Sequence, residues 1–154
     1  MANTLRFEFI AQDHIVFQGD VEMVIAPGAN GTLGILPRHA PLMTVIVPGE
    51  LIVKLPGNQE RYFAVGGGFM EVRPDKVTLL ARSGESAEQI DLQRALEARQ
   101  RAEALLAQIP RGSEERRQLM EQALIRSKVR LKVAERRRRQ QPKGPVPTPG
   151  EIQE

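Results

Sequence analysis

The sequence predicts an α+β protein: an N-terminal β-sandwich of about ten short strands, followed by an antiparallel two-helix hairpin. Three observations carry that prediction. Up to about residue 86, short apolar runs alternate with Pro/Gly turn clusters and show no helical period, the pattern of a sandwich or barrel. From Asp91 onward Ala, Leu, Glu, Gln and Arg dominate, and all are good helix formers. One break, Ile109-Pro110-Arg111-Gly112, interrupts that run, and so short a connection makes its two helices antiparallel neighbours.

Taken in order, residues 5–10 alternate as a half-buried strand does. Residues 21–26 follow, rich in β-branched side chains, and end in the turn cluster Pro27-Gly28-Ala29-Asn30-Gly31. Residues 33–36 form a short apolar run. Residues 42–47 form a strand closed by Pro48-Gly49, and residues 51–55 another closed by Pro56-Gly57-Asn58. Residues 61–65 pair with it as a hairpin. Residues 69–72 and 76–81 flank the turn at Pro74-Asp75. Asp91 is placed to cap a helix over residues 92–108, whose stripe is Leu92, Ala95, Leu96, Ala102, Leu105 and Leu106. Ser113 is placed to cap a second helix over residues 114–139, with Leu119, Met120, Ala123, Leu124, Ser127, Leu131 and Ala134 on one face. Two Ala-heavy helices bury little area, so the hairpin needs a surface to lie on and packs on it thinly. It reads as a detachable element. The expected organisation is a sandwich over residues 1–86, a hairpin over 87–139 and a disordered tail over 140–154, where four prolines and two glycines leave little to bury.

Charge divides at the same place. Residues 1–90 carry 7 Lys+Arg against 10 Asp+Glu; residues 91–154 carry 15 against 9. An acidic front meets a basic back. There is no Cys, which excludes disulfides and thiolate chemistry. His14 and His39 are the only histidines, and nothing spaces them as metal ligands. No nucleophile–base pair, metal constellation or cofactor fingerprint occurs. Gly66-Gly67-Gly68 lacks the Lys-Ser/Thr and the helix of a phosphate loop, and reads as a bulge or a close backbone approach. No leader and no membrane-length apolar window stands out, so a soluble chain is expected, brought to any membrane by a partner. The basic half suits a nucleic-acid binder by charge, yet it holds no aromatic residue for stacking.

Longer motifs point further. Gly31-Thr32-Leu33-Gly34-Ile35-Leu36-Pro37-Arg38-His39-Ala40-Pro41-Leu42 resembles the G-x-L-G-I-L-P-G-H-A-P-L segment of the epsilon subunit of F-type ATP synthase. Gly67-Gly68-Phe69-Met70-Glu71-Val72 resembles that family's G-G-F-x-E-V. Pro74-Asp75, Val77-Thr78 and Leu80 continue the match, as do Ile90-Asp91 and Arg94-Ala95 at the head of the helices. Order and spacing hold over roughly residues 5–135. Arg38 departs from the family's Gly, which bears on the local turn. Arg136–Arg139 and the tail extend beyond the usual end.

The resemblance implies a non-catalytic subunit of the central stalk. Its sandwich would bind the gamma subunit and the c-subunit ring, peripherally on the cytoplasmic side of the cell membrane. By rotation it would couple proton transport to ATP synthesis in the alpha and beta subunits. Its hairpin would lie on the sandwich or extend along gamma to inhibit ATP hydrolysis. His39 and Leu42 are then rotor contacts, or plain turn chemistry. Arg116, Arg126 and Arg130 then meet an acidic loop of beta, or form a solvated face. No cofactor is required, but ATP is a candidate regulatory ligand: Glu85, Ile90, Asp91, Arg94, Ala95 and Arg101 match positions of ATP-binding members. Arg94 and Arg101 lie two turns apart on one face and suit a triphosphate. The competing reading is a surface ladder through Glu97, with Asp91 only a cap. The alternative functions are a free-standing ATP sensor or a nucleic-acid module.

Overall fold

The computed structural model describes residues 3–140. Its strands are β1 (Leu5–Ala11), β2 (His14–Val21), β3 (Met23–Gly28), β4 (Gly31–Ile35), β5 (Leu42–Leu55), β6 (Gln59–Val72), β7 (Lys76–Ala81) and β8 (Gly84–Ser86). A single 3-10 turn, Ala87–Gln89, leads to helices α1 (Leu92–Gln108) and α2 (Glu114–Gln140). Eight strands stand among the described residues, against the expected ten or so; two of the breaks between the named runs are not strand ends. β5 runs through Pro48-Gly49 and β6 through Gly66-Gly67-Gly68. The sequence marks no strand at β2 or β8; its β-branched run at residues 21–26 corresponds to β3. Gln140, expected in the tail, is the last residue of α2, and the rest of that segment lies outside the described residues.

The strands hydrogen-bond in the order β2-β1-β7-β6-β5-β3-β4, with β8 added to β6. Only β1 and β7 pair in parallel among them. The ribbon of β5 and β6 folds over on itself. One half, near Phe69, joins β7, β1 and β2; the other, near Phe63, joins β8, β3 and β4. This makes two layers around one core. Phe7 and Phe9 of β1, Val24 of β3, Leu51 and Val53 of β5, Phe63 and Met70 of β6, and Leu79 of β7 are all fully buried in it. Inward positions on β6 switch parity across the corner, from Phe63 and Val65 to Met70 and Val72. Gly67, at φ +96°, sits where the switch occurs, a backbone state that glycine enters without steric cost.

The hairpin packs on the outer face of the second layer. Tyr62 and Ala64 of β6, with Ile52 of β5, meet Ala87, Ile90, Ala95, Leu131 and Val133 in a second cluster. A row of small residues lets the elements approach closely. On α1 the buried positions are Ala95 and Ala102; on α2 they are Ser127, Leu131 and Val133. The expected stripes are therefore only partly used. Leu105 and Leu119, toward the turn of the hairpin, are exposed. A 27-residue helix is about 40 Å long, and its buried residues, Ser127, Leu131 and Val133, all lie in its C-terminal half. Asp91 caps α1 as expected, accepting from the Arg94 backbone N–H at 3.1 Å. Ser127 turns its hydroxyl back onto the Ala123 carbonyl at 2.9 Å, which satisfies its polar atom inside the contact.

Candidate functional site

The first layer is largely open on its outer side, and that side is apolar; at one edge Val45 and Phe69 share a cavity with Gln122, Ile125 and Arg126 of α2. Register places Val45 of β5 opposite Phe69 of β6, Phe69 opposite Leu80 of β7, Leu80 beside Ile10 of β1, and Ile10 opposite Ile15 of β2. The five make one row across five strands. Phe69 is 60% exposed, Ile15 59%, Leu80 53% and Val45 48%, with Met43 and Val47 exposed on either side of Val45 along β5. A solvated antiparallel face is ordinarily polar, and a contiguous apolar row of this kind marks a docking surface. None of these residues was expected from the sequence. The signal was there in adjacent apolar pairs: Phe9-Ile10, Val45-Ile46, Phe69-Met70 and Leu79-Leu80. Such doublets make both faces of a strand apolar at one level.

The loop before β5 lies farther along the same layer. Leu42 opens β5 opposite Val72. It shares parity with buried Ile46, so it belongs to the open end of the inward face rather than to the stripe. His39 donates from Nδ1 to the Ala40 carbonyl at 2.7 Å, since a carbonyl only accepts. Arg38 has φ +64° and donates its N–H to the Pro74 carbonyl at 2.8 Å. The residue that departs from the expected Gly thus takes the conformation a Gly would favour. Leu36 is exposed beside it.

The third feature is the junction of hairpin and sandwich. Between β6, β8 and α2 lies a cavity of about 340 Å³ lined by His14, Glu85, Gln89, Arg126 and Arg130, together with Ala64, Val65 and Gly66. Glu85 takes both guanidinium bonds of Arg130, at 2.8 and 3.2 Å. Arg126 and Arg130, expected as partner contacts, therefore stand beside Glu85 of the expected nucleotide set. The remaining members of that set lie elsewhere. Ile90 and Ala95 are buried in the second cluster. The Arg94 side chain is 83% exposed and turns to Asp91 at 3.8 Å. Arg101 is exposed on α1. Glu97 accepts from Gln93 at 3.2 Å, in place of the ladder with Arg94 and Arg101. Arg116 lines an apolar groove at the turn of the hairpin with Leu105, Leu119 and Met120.

Two titrating groups stand out. Burial, and then the hydrogen bond its hydroxyl donates to Glu60, hold the Tyr62 phenol well above its ordinary range. The hydrogen bond with His14 at 2.7 Å, reinforced by charge, holds the exposed Asp13 below the usual carboxylate range. Neither group lies at a nucleophile or a metal cluster. Among the described residues no three acidic or His side chains are grouped for a metal ion, and no helix is long and apolar enough to cross a membrane.

A sandwich with one apolar face open, carrying a thinly packed helical hairpin, defines a docking subunit of a larger assembly. Comparison with known proteins identifies the assembly. Residues 4–87 match the family described as ATP synthase delta/epsilon chain, beta-sandwich domain, and residues 88–135 match its long alpha-helix domain. The ATP synthase epsilon chain of Dehalococcoides mccartyi is 47% identical over 137 residues, covering 88% of this chain and 95% of that one. The ATP synthase epsilon chain of Herpetosiphon aurantiacus is 44% identical, covering 89% and 98%. A chain in the structure of the Euglena gracilis mitochondrial ATP synthase superposes with a TM-score of 0.72 at 23% identity, over 82% of this chain and 78% of that one. That likeness shows the fold. The chain belongs to the ATP synthase delta/epsilon family, as an epsilon subunit of the F-type enzyme. Family membership selects this function over the free-standing sensor and the nucleic-acid module.

Proposed function

We propose that this subunit is a non-catalytic part of the rotor. Its apolar row of Ile15, Ile10, Leu80, Phe69 and Val45 is held by the gamma subunit, and the loop at His39 and Leu42 meets the c-subunit ring. In that position it is peripheral to the cytoplasmic face of the cell membrane and couples proton transport to synthesis by rotating with the shaft. The observation that carries this reading is the five-strand apolar row, since an exposed aromatic beside aliphatic side chains supplies the anchor of a stable interface. Replacing Phe69 and Leu80 by Lys puts two charges where the partner would bury apolar area. Copies of the variant should co-purify with gamma at least tenfold less than the parent chain (~1.4 kcal/mol per tenfold). Unchanged recovery with gamma would end the assignment of this face.

The hairpin is the regulatory part. Its apolar contact with the sandwich rests on Ala and single larger residues and is thin, so a modest ligand preference can shift the balance between folded and extended arrangements. Extended, it would reach the alpha and beta subunits and inhibit ATP hydrolysis, with Arg116, Arg126 and Arg130 steering it toward acidic surface. ATP is proposed as a regulatory ligand of the folded state, not a required cofactor. The cavity at Glu85, Arg126 and Arg130 supports this, because two guanidinium groups suit phosphate oxygens. Calorimetry with ATP should show binding that weakens in Arg126→Ala, which lines that cavity. Absence of heat at millimolar ATP would remove the ligand and leave the rotor role standing.

A further inference from the structure

The face that receives the hairpin carries two carboxylates placed symmetrically about a small residue. Glu50 of β5 lies opposite Ala64 of β6, and Ala64 lies opposite Glu85 of β8. The three residues form one cross-strand row, with Glu50 and Glu85 separated by two strand spacings, about 9.6 Å. On α2, Arg130 and Arg136 are six residues apart, about 9 Å along the axis. The two spacings agree, and each arginine takes one carboxylate. Arg130 holds Glu85 at 2.8 and 3.2 Å. Arg136 holds Glu50 through Nε at 2.9 Å and through its terminal nitrogen at 2.9 Å, with its guanidinium 5.8 Å from the centre of the Tyr62 ring. Ala64 leaves room for the helix to cross between the two pairs.

We infer that Glu50 and Glu85 form a two-point clasp for Arg136 and Arg130 that holds α2 in register on the sandwich. The two points differ in kind. The pair at Glu85 is about one-third exposed on both sides, so solvent weakens it. The Glu50 side chain is 7% exposed while Arg136 is 41% exposed. With the hairpin docked, Glu50 is a nearly buried charge whose planar, two-bond partner is Arg136. Docking without that partner strands the charge, whereas undocking returns it to water. The Glu50 point therefore resists any arrangement in which the helix slides but stays attached. Arg136 lies one residue past the stretch matched by the family's helix domain, which ends at residue 135. Where the hairpin detaches, as proposed above, the clasp also sets how readily it leaves. An anion that draws Arg130 from Glu85 opens one point and leaves the other closed.

The test is amide hydrogen exchange on the full-length protein, comparing α2 with the sandwich strands β1 and β7. In Arg136→Gln, exchange over the docked half of α2 should rise roughly tenfold or more, while β1 and β7 stay unchanged. In the double variant Glu50→Gln with Arg136→Gln no buried charge lacks a partner, and exchange should return to within about threefold of the parent. Exchange in Arg136→Gln equal to the parent overturns the clasp, and so does a double variant no slower than the single one. A rise of equal size in α2, β1 and β7, reversed in the double variant, supports the clasp as a contact and sinks the detachable hairpin, because α2 would then open only with the whole fold.

Discussion

Two single residues carry conformational or ionic tension that measurement can reach. Arg38 is exposed and holds φ +64° without a special side-chain contact among the described bonds. An L side chain in that region costs roughly 1–2 kcal/mol, and glycine's extra freedom in the unfolded chain gives back about 0.5–1. Arg38→Gly should therefore stabilise the protein by about 0.5–1 kcal/mol, seen as a higher urea midpoint at unchanged slope. Tyr62 reports on alkali. Its phenol is raised by burial first and by Glu60 second, so the folded chain keeps a proton that the unfolded chain loses near pH 10. The stabilisation is complete below that pH and declines as pH rises above it toward the folded value. Tyr62→Phe should remove this decline: its stability falls less steeply than the parent's above about pH 10. Parallel curves for the two proteins in that range would show that the phenol ionises alike in both states.

At the scale of elements the corner of β6 is the most constrained place. A Cβ added at Gly68 would overlap the Leu80 carbonyl oxygen and crowd the Ala81 Cα. Both belong to backbone, so no rotamer change relieves the clash. Gly68→Ala should cost about 2–3 kcal/mol in chemical denaturation, and it should also weaken gamma binding, because β6 and β7 carry Phe69 and Leu80 side by side. This corner is also where the sequence was least legible. Pro48-Gly49 has the composition of a strand end, yet the ribbon continues through it, since a bend between layers needs the same residues as a turn; Gly66–Gly68, read as a bulge or a close backbone approach, makes that approach at Gly68. Strand identity at residues 5–10 or 76–81, helix starts at Asp91, and the hairpin break at Pro110 were legible, because each rests on neighbours in sequence. The docking row and the cavity at the hairpin were not. Ile15 and Val45 meet only through three intervening strands, and Arg130 reaches Glu85 across 45 positions. Local spacing favoured Arg94 and Arg101, which share a helix face but line neither that cavity nor the buried contact.

For the whole molecule the decisive fact is that its two apolar clusters share no residue. The first is built entirely from strands, from Leu5 to Ala81; the second takes Tyr62 and Ala64 from the far side of β6, with Ile52 of β5 packed against them, and its other buried residues from 87–133. β6 is the common wall, with Phe63 and Val65 facing one cluster and Tyr62 and Ala64 the other. The sandwich therefore owes its core to no helical residue, while the hairpin owes its order to the sandwich. A chain ending at residue 90 should unfold cooperatively in urea, less stable than the full protein by about 2–4 kcal/mol for the loss of cover over Tyr62, Ala64 and Ile52. Residues 91–140 alone should show weak helicity, because a pair of helices joined by a short turn with small buried residues has too little area to offset its ordering. On the proposed rotor role the truncated chain should still co-purify with gamma, since the row from Ile15 to Val45 lies wholly within it, and on the proposed regulatory role its complex should hydrolyse ATP faster than that of the full chain. A sandwich that melts without a cooperative transition once the helices are removed would show that the clusters are one core in energy, and a hairpin so bound could not serve as a switch.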